Sequence, residues 1–465
     1  MSTEYEPVIG LEIHVQLKTR TKMFCGCALS FGEEPNTLTC PVCLGLPGTL
    51  PVANAQAVLY GLMMALALDC EIAPRSIFHR KNYFYPDQAK NYQISQYDVP
   101  LCTGGRLGDV RLHRIHLEED AAKLVHVGES GRIHGSQASI VDYNRGGTPL
   151  AEIVTEPDIH SAEQARDWLI LLRETLRQLG VSDVNMEEGS LRCDANVSVR
   201  PKGSSELGTK TELKNMNSFR FLYQGINAEI ARQVALLEAG ERIEQETLHF
   251  DPATGRLSSL RSKEEAHDYR YFPEPDLVPL VPTPEMLEAA RAAIPELPAA
   301  RAARYEAAGL PEDTARLFAF EPEWGEYFEA VQGDPRTVGV WVTELRSRAG
   351  DPAQVPAATL SKLVALVSAR TVTAGAARTV LDTLVAEGGD PEEIVAREGL
   401  AAMEDSGELE AIVARVIDDN PDIVERIRGG NAKAMGALVG PIMRETKGRA
   451  DGGEVNRLLR ERLGV

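Results

Sequence analysis

The sequence predicts an α+β protein, in which a mixed α/β domain with a largely antiparallel sheet precedes an all-helical region. Three observations lead to this prediction. Residues 1 to about 293 are rich in strand-like alternation, glycine and turn signals. A segment with four prolines, EPDLVPLVPTPEM (274–286), closes this region. From about residue 294 onward, Ala, Glu, Arg and Leu recur at helical spacing.

We divide the 465 residues into domains over 1–293, 294–403 and 404–465, with the last boundary at the acidic break EDSGELE (404–410). The N-terminus MSTEYEPVIG has no signal or transit pattern, and no apolar run is long enough to span a bilayer. We therefore expect a cytoplasmic protein. Its net charge of -20 argues against nucleic-acid binding by the whole surface, although a local basic patch is compatible with it.

Two elements of the first domain are well marked in the sequence. Residues 8–17 alternate between apolar and polar side chains, as a half-buried strand requires. Residues 161–180 form an amphipathic helix, with Ser161 and Gln164 as a capping box and Gly180 at the C-terminal end. The segment LRCDANVSVR (191–200) alternates in the same way as the first strand.

Four of the seven cysteines are close together: Cys25, Cys27, Cys40 and Cys43. Two close pairs can supply four thiolates in the tetrahedral geometry that Zn²⁺ prefers, with no position left open for water. The pattern predicts a structural zinc site; four free thiols are the alternative. An odd cysteine count in a long chain argues against a disulfide framework.

Glu12 and His14 lie on one face of the first strand, roughly 7 Å apart by the strand rise. Acidic groups elsewhere strengthen a cation site there: Glu118, Glu119 and Asp120 in HLEEDAAKL, and Glu152 within an apolar strand. A carboxylate in an apolar strand needs a partner or a metal. Oxygen ligands with one histidine suit Mg²⁺ or Mn²⁺ beside a nucleotide phosphate. The alternative explanation, which covers only Glu12 and His14, is a solvent-facing polar side of the strand.

Further polar residues are candidates for binding a nucleotide or an unpaired RNA end. Aromatic and cationic side chains interleave in 81–98 and 268–276, where they can stack bases or else close a core under loops. The outward positions of 191–200 and a lysine before a helix at Ser218 suit ribose and phosphate recognition. These candidates are Lys81, Tyr83, Tyr85, Arg192, Asp194, Asn196, Ser198, Lys214, Asn215 and Asn217.

The last 43 residues hold nine Lys or Arg against five Asp or Glu, a local charge of +4. The segment predicts a basic surface that suits phosphate groups and includes Lys433, Arg444, Lys447 and Arg449, although a solvated helix face explains the same charges. The sequence lacks a Walker A loop, a Rossmann glycine fingerprint and the protein-kinase motifs. It also lacks a recognisable amidase or Cys-His glutaminase active-site motif. Any ATP chemistry would therefore use another scaffold, and a reaction that consumes ammonia would take it from another chain.

The motifs resemble those of the GatB family, the B subunits of aspartyl/glutamyl-tRNA amidotransferases. They cover residues 7 to about 280 and continue more weakly near the C-terminus: VIGLEIHVQL, KNYFYPD, YQISQYD, EEDAAKL, VDYNRGGTPLAEIV, MEEGSLRCDANVSVR, TELKNMNSF, DYRYFPEPD and NAKAMGALVGPIM. The resemblance implies a cradle-shaped catalytic domain, a helical domain and a tail related to YqeY proteins. It also implies that the basic tail contacts the body of a tRNA. The related archaeal E subunit carries a long inserted domain, and this chain has no such insertion.

The resemblance also implies work in a heterotrimer with the A and C subunits of the amidotransferase, of which the first is a glutaminase. The B subunit would use ATP to phosphorylate the side-chain carboxylate of Glu-tRNA(Gln), Asp-tRNA(Asn) or both, before ammonia forms the amide. Family Mg²⁺ ligands carry over onto Glu12, His14, Glu119 and Glu152, and the zinc cysteines are all present. Glu118 lies next to Glu119, and strand register alone does not choose between them. A non-catalytic zinc-containing tRNA-binding module is the chief alternative.

Overall fold

The computed structural model describes residues 4–127, 137–214, 216–261, 269–403, 406–429 and 431–464. The chain divides into two compact units, residues 1–297 and 298–465. Within the described residues every strand lies in the first unit, and the second unit is built from helices. The α+β class predicted from the sequence is confirmed.

The first unit contains fifteen strands and four helices among its described residues. The strands are β1 (Tyr5–Gln16), β2 (Glu71–Ile72), β3 (His79–Asn82), β4 (Tyr92–Ser95), β5 (Cys102–Thr103), β6 (Arg106–Leu107), β7 (Val110–Glu119), β8 (Lys123–Val127), β9 (Ala138–Asp142), β10 (Pro149–Thr155), β11 (Leu191–Pro201), β12 (Thr211–Lys214), β13 (Thr247–Asp251), β14 (Arg256–Arg261) and β15 (Phe272–Pro273). The helices are α1 (Ala55–Ala67), α2 (Ala162–Gln178), α3 (Phe219–Glu238) and α4 (Pro284–Ala293).

A ten-stranded sheet dominates this unit, in the order β14-β13-β12-β11-β1-β10-β7-β5-β2, with β6 paired to β7. Its neighbouring strands are antiparallel except for the parallel pair β12 and β13. Smaller sheets join β15, β3 and β4, and β8 with β9. The longest strand, β1, pairs with β10 on one side and β11 on the other. Side chains from these three strands therefore share both faces of the sheet.

One face of the sheet is apolar and buried. Leu11, Ile13 and Val15 of β1 are at most 1% exposed, and they belong to the same core as the inward residues of α1, α2 and α3. The opposite face carries the polar positions of the same strands, because successive side chains alternate in direction. The alternation read in 8–17 thus corresponds to β1, which begins three residues earlier.

The predicted helix over 161–180 is α2. The Ser161 hydroxyl accepts the backbone N–H of Gln164 at 3.0 Å, as an N-cap should. The side-chain Oε1 atom of Gln164 accepts from the backbone N–H of His160 at 2.8 Å, so it pairs the N–H of the residue before the cap. Gly180 adopts φ +70° just beyond the helix, a conformation that glycine adopts without strain.

The second unit is entirely helical within its described residues. Its helices are α5 (Pro298–Ala307), α6 (Glu312–Phe320), α7 (Pro322–Ala330), α8 (Pro335–Arg346), α9 (Ala357–Ser368), α10 (Ala374–Glu387), α11 (Pro391–Glu398), α12 (Ser406–Asp418), α13 (Pro421–Arg428), α14 (Gly436–Glu445) and α15 (Gly452–Leu463). They enclose two separate cores, one between residues 305 and 400 and one between residues 409 and 463.

Candidate metal centres and substrate-binding face

Strand register places four side chains in one row across the polar face of the sheet. His14 of β1 lies opposite Arg192 of β11 on one side and Glu152 of β10 on the other. Glu152 lies opposite His116 of β7. Register partners project from the same face, so the row brings residues from four strands to one place. Residues 14 and 152 are thus neighbours although 138 positions separate them in the chain.

Carboxylates surround the two imidazoles of this row. The Nε2 atom of His14 lies 3.3 Å from a Glu152 oxygen, 3.7 Å from Glu118 and 3.8 Å from Glu12. The Nε2 atom of His116 lies 3.4 Å from each of Glu118 and Glu152. Two overlapping groups could each hold a metal ion, and both include Glu152. We call these five residues the acidic cluster.

The pKa values of the cluster reflect its burial and its mixed charges. Burial alone would raise the pKa of Glu118, but the hydrogen bond from His116 helps to lower it to about 2. Burial would also raise the pKa of Glu152, but the two histidines hold it well below its usual range. Burial would lower the pKa of His14, yet its carboxylate neighbours raise it to about 9. Burial and the charge of Glu152 raise the pKa of Glu12.

Glu119 lies apart from this cluster. It follows Glu118 along β7, so its side chain projects from the other face. Its carboxylate is paired with the Lys90 ammonium and accepts the backbone N–H of Ile94 at 2.9 Å. Of these two neighbouring glutamates, the structure therefore brings Glu118 and not Glu119 into the acidic cluster.

His116 and Glu118 are the members that the sequence reasoning did not assign. Their signal is present in HLEEDAAKL, because residues two apart in a strand share a face. Glu118 also accepts a hydrogen bond from the Ser95 hydroxyl at 2.8 Å, which fixes its carboxylate from the neighbouring strand β4. Applying the two-residue period from His116 would have favoured Glu118 over Glu119.

The four clustered cysteines meet in the segment between β1 and α1. Their Sγ atoms all lie within 4.8 Å of one another. Tetrahedral Zn–S bonds of about 2.3 Å place neighbouring sulfur atoms about 3.8 Å apart, so the four residues Cys25, Cys27, Cys40 and Cys43 fit zinc. The buried Lys22 ammonium lies 3.8 Å from the Cys43 sulfur. This lysine supplies positive charge beside the cysteine group.

Lys81 connects the acidic cluster to an aromatic wall. Its ammonium lies 4.7 Å from the ring centroid of Tyr269. Burial would lower the pKa of Lys81, but Glu118 and other nearby negative groups raise it above its usual range. The predicted residues Tyr83 and Tyr85 lie beside each other, with ring centroids 5.7 Å apart. A cation next to partly exposed aromatic rings can receive an unpaired base or a phosphate.

The outward residues of β11 divide into different environments. The Arg192 guanidinium donates to Asp120 at 3.0 Å, and the Lys214 ammonium lies 3.2 Å from Asp194. Ser198 is buried and donates to the Val8 carbonyl at 3.2 Å, which ties two strands together. Asn196 is half-buried on the polar face, and Asn217 is exposed just before α3. Asn215 lies outside the described residues.

The predicted tail residues lie on the helices of the second unit. Lys433, Arg444 and Lys447 are exposed, whereas Arg449 is half-buried with its guanidinium 3.8 Å from Glu408. Arg444 and Lys447 line a cleft between α14 and the helices α10 and α11. Two of the four predicted tail cations therefore line the same cleft.

Comparison with known proteins identifies the family. A family model described as the GatB/GatE catalytic domain matches residues 7–288, and one described as the GatB domain matches residues 331–463. The chain belongs to the GatB family. This result confirms the resemblance seen in the motifs. The catalytic-domain match contains both the acidic cluster and the four cysteines.

GatB-family relatives match along nearly the whole chain. Proteins named as the B subunit of aspartyl/glutamyl-tRNA(Asn/Gln) amidotransferase are 52% identical in Frankia casuarinae and 50% identical in Carboxydothermus hydrogenoformans. The alignments cover 99% of this chain in both cases, and 96% and 99% of the respective relatives. A third such protein, from Moorella thermoacetica, is 50% identical. Among the described residues, no helix combines the length and apolar character needed to cross a membrane.

Proposed function

We propose that this GatB-family chain is the B subunit of a tRNA-dependent amidotransferase and that the acidic cluster is its carboxylate-activating site. The substrates are the mischarged Glu-tRNA(Gln), Asp-tRNA(Asn) or both. The γ-phosphoryl group of ATP is transferred to a side-chain carboxylate oxygen, and ADP leaves. Ammonia then attacks the acyl carbon, inorganic phosphate leaves, and Gln-tRNA(Gln) or Asn-tRNA(Asn) results. The cluster of three carboxylates and two imidazoles on one sheet face carries this proposal.

The cluster fits Mg²⁺. Carboxylate oxygens are the ligands that this ion prefers, and an octahedral shell at 2.0–2.1 Å separates neighbouring ligand atoms by about 3 Å. His14 and Glu152 approach each other to 3.3 Å, close to that spacing. We assign Glu12, His14, Glu118 and Glu152 to the metal, with His116 orienting the two buried carboxylates. Bound Mg²⁺ would neutralise phosphate charge during the transfer.

Residues around the cluster suit the other parts of the substrates. Arg192 lies beside His14 in the row and offers a planar guanidinium to a phosphate. Lys81 and its aromatic neighbours border the same space and suit the terminal bases of the tRNA. The basic residues of the second unit would contact the body of the tRNA. The chain would work in a heterotrimer with the A subunit, which releases ammonia from glutamine, together with the C subunit.

The decisive experiment replaces one glutamate at a time in the assembled amidotransferase. Glu118→Gln keeps the size of the side chain and removes its charge, so we expect tRNA-dependent ADP release to fall mainly in kcat. Glutamine hydrolysis by the glutaminase chain should persist. Glu156→Gln is a matched control, because Glu156 contacts His113 at 2.9 Å on the same sheet away from the cluster. Normal ADP release by an assembled Glu118→Gln enzyme would overturn the proposal and favour a docking module.

The four cysteines would hold one structural zinc ion. With four thiolates as ligands, no coordination position remains for a reacting water. The ion would order the segment between β1 and α1, in which regular structure is limited to an isolated bridge between Thr21 and Ala28. The zinc ion would therefore stabilise this segment of the catalytic domain and would take no part in phosphoryl transfer.

A further inference from the structure

Asp120 is a buried carboxylate at the end of β7, on the edge of the polar sheet face, and it is only 3% exposed. Its Oδ2 atom accepts from the Gln16 side chain at 2.7 Å. Its Oδ1 atom accepts from Arg192 Nη2 at 3.0 Å and from the backbone N–H of Ala121 at 2.9 Å. Arg145 Nε approaches Oδ2 to 3.8 Å. Asp120 is thus held from several directions while it binds one side of the Arg192 guanidinium.

The backbone of Asp120 is fixed as firmly as its side chain. Its N–H donates to the Thr148 carbonyl at 2.8 Å, and its carbonyl accepts from the N–H of Gly147 at 2.9 Å. These bonds tie the end of β7 to the start of β10, the strand that carries Glu152. Asp120 therefore occupies a defined position relative to the acidic cluster.

The Arg192 guanidinium is only partly satisfied by Asp120. Its Nε atom is buried and has no hydrogen-bond partner in the structure. The Arg192 side chain is nevertheless 38% exposed, so a ligand can reach the open side of the guanidinium although it cannot reach Nε. A guanidinium carries five N–H donors, and those that Asp120 does not occupy can bind phosphate oxygens.

Without Asp120, the Arg192 guanidinium could form ion pairs with the carboxylates of the acidic cluster. Arg192 lies opposite His14, next to the carboxylates of Glu12, Glu118 and Glu152. A long, flexible cation so close to three carboxylates is drawn towards them, where it would compete with a divalent ion. An anionic anchor on the far side holds the cation in place.

We infer that Asp120 is a positioning residue, which holds Arg192 off the acidic cluster so that the open side of its guanidinium can bind a phosphate of the nucleotide. The inference rests on the proposed function, because it assigns a phosphate-bearing substrate to this face. Asp120 itself contacts neither the substrate nor the metal. Its effect passes entirely through Arg192, and this dependence makes the inference testable.

The test is a double-mutant cycle in the assembled amidotransferase, with ATP as the varied substrate. Asp120→Asn preserves shape but removes the charge that anchors the guanidinium. We expect the KM for ATP to rise on the order of tenfold, the usual effect of losing a charged hydrogen bond. The KM for tRNA and glutamine hydrolysis should be unchanged. In an Arg192→Ala background, Asp120→Asn should have almost no further effect, because Asp120 then has nothing to position.

Asp158→Asn is the matched control, because Asp158 binds the Arg111 guanidinium through two hydrogen bonds of 2.7 and 2.8 Å at the same sheet. It should leave the KM for ATP unchanged. If Asp120→Asn does not assemble, Asp120→Ser replaces it in the cycle. Additive losses in the double variant would overturn the inference, since a purely structural residue acts independently of Arg192. Unchanged ATP kinetics in Arg192→Ala would overturn it as well, whereas retained ADP release in Glu118→Gln would instead refute the proposed function.

Discussion

Glu229 is the charged centre of a polar network buried between α3 and the sheet. Its side chain is inaccessible to solvent, and it accepts hydrogen bonds from Thr211 at 2.7 Å, from Gln233 at 2.7 Å and from Arg232 at 2.7 and 2.9 Å. Gln233 also reaches the Val197 carbonyl at 3.0 Å. The network therefore joins α3 to β11 and β12, the strands that carry Arg192 and Lys214.

We predict that Glu229→Ala lowers the free energy of unfolding of the first unit by about 3 kcal/mol. Removing one partner of a buried charged pair costs roughly 3–5 kcal/mol. The lower end applies here because Arg232 is 31% exposed and has Glu246 as a second partner at 3.3 Å. Thr211 and Gln233 remain 3.0 Å apart and partly satisfy each other. Glu229→Gln should cost less, since an amide oxygen still accepts two of the bonds.

Calorimetry of the purified chain measures the change as a downward shift of the transition assigned to the first unit. Glu238→Ala serves as the matched control, because Glu238 is exposed at the end of the same helix and should change the free energy by no more than about 0.5 kcal/mol. Hydrogen exchange at β12 should rise in parallel with the calorimetric change. If Glu229→Ala and Glu238→Ala unfold alike, the network contributes nothing and the reasoning fails.

Two further predictions concern the zinc site and the basic tail. A Cys40→Ser and Cys43→Ser double variant should lose its zinc and become sensitive to proteolysis within residues 25–49. If metal analysis still finds one zinc ion per folded chain of this variant, the four cysteines do not form the zinc site. Arg444→Glu with Lys447→Glu should raise the KM for tRNA and flatten its salt dependence without affecting kcat, because exposed cations act through phosphate charge. Unchanged tRNA binding would mean that the tail has another role. Charge reversal is preferable to truncation at residue 423, because truncation would cut through the core between residues 409 and 463.

The sequence predicted elements whose pattern is local. The alternation of 8–17 and 191–200 located β1 and β11, because a sheet with one buried face imposes a two-residue period. The Ser161 cap and the apolar stripe located α2 for the same kind of reason. Neighbouring side chains alone provided these signals, so no knowledge of the rest of the fold was needed.

The composition of the acidic cluster was harder to predict, because it depends on register between distant strands. Nothing in the sequence places His116 opposite Glu152. The two-residue period chooses between the adjacent glutamates of β7 only once His116 is known to belong to the cluster. Ser198 illustrates a second difficulty. Alternation assigned it to the polar face, but it is only 5% exposed and bonds to the backbone of β1. A periodic pattern predicts on which face of a strand a side chain lies, but it does not predict whether other parts of the protein cover that face.

The opposite directions of Glu118 and Glu119 have a consequence for how this protein can change during evolution. A single inserted or deleted residue between His116 and Asp120 would exchange the two faces of β7 at that point. Glu119 would then turn towards the histidines, and its pairing with Lys90 would be lost. A point substitution in this segment changes the surroundings of one side chain, but a change of length alters the surroundings of Glu118 and Glu119 together. The spacing of these five positions should therefore tolerate length variation far less than the turns joining the edge strands.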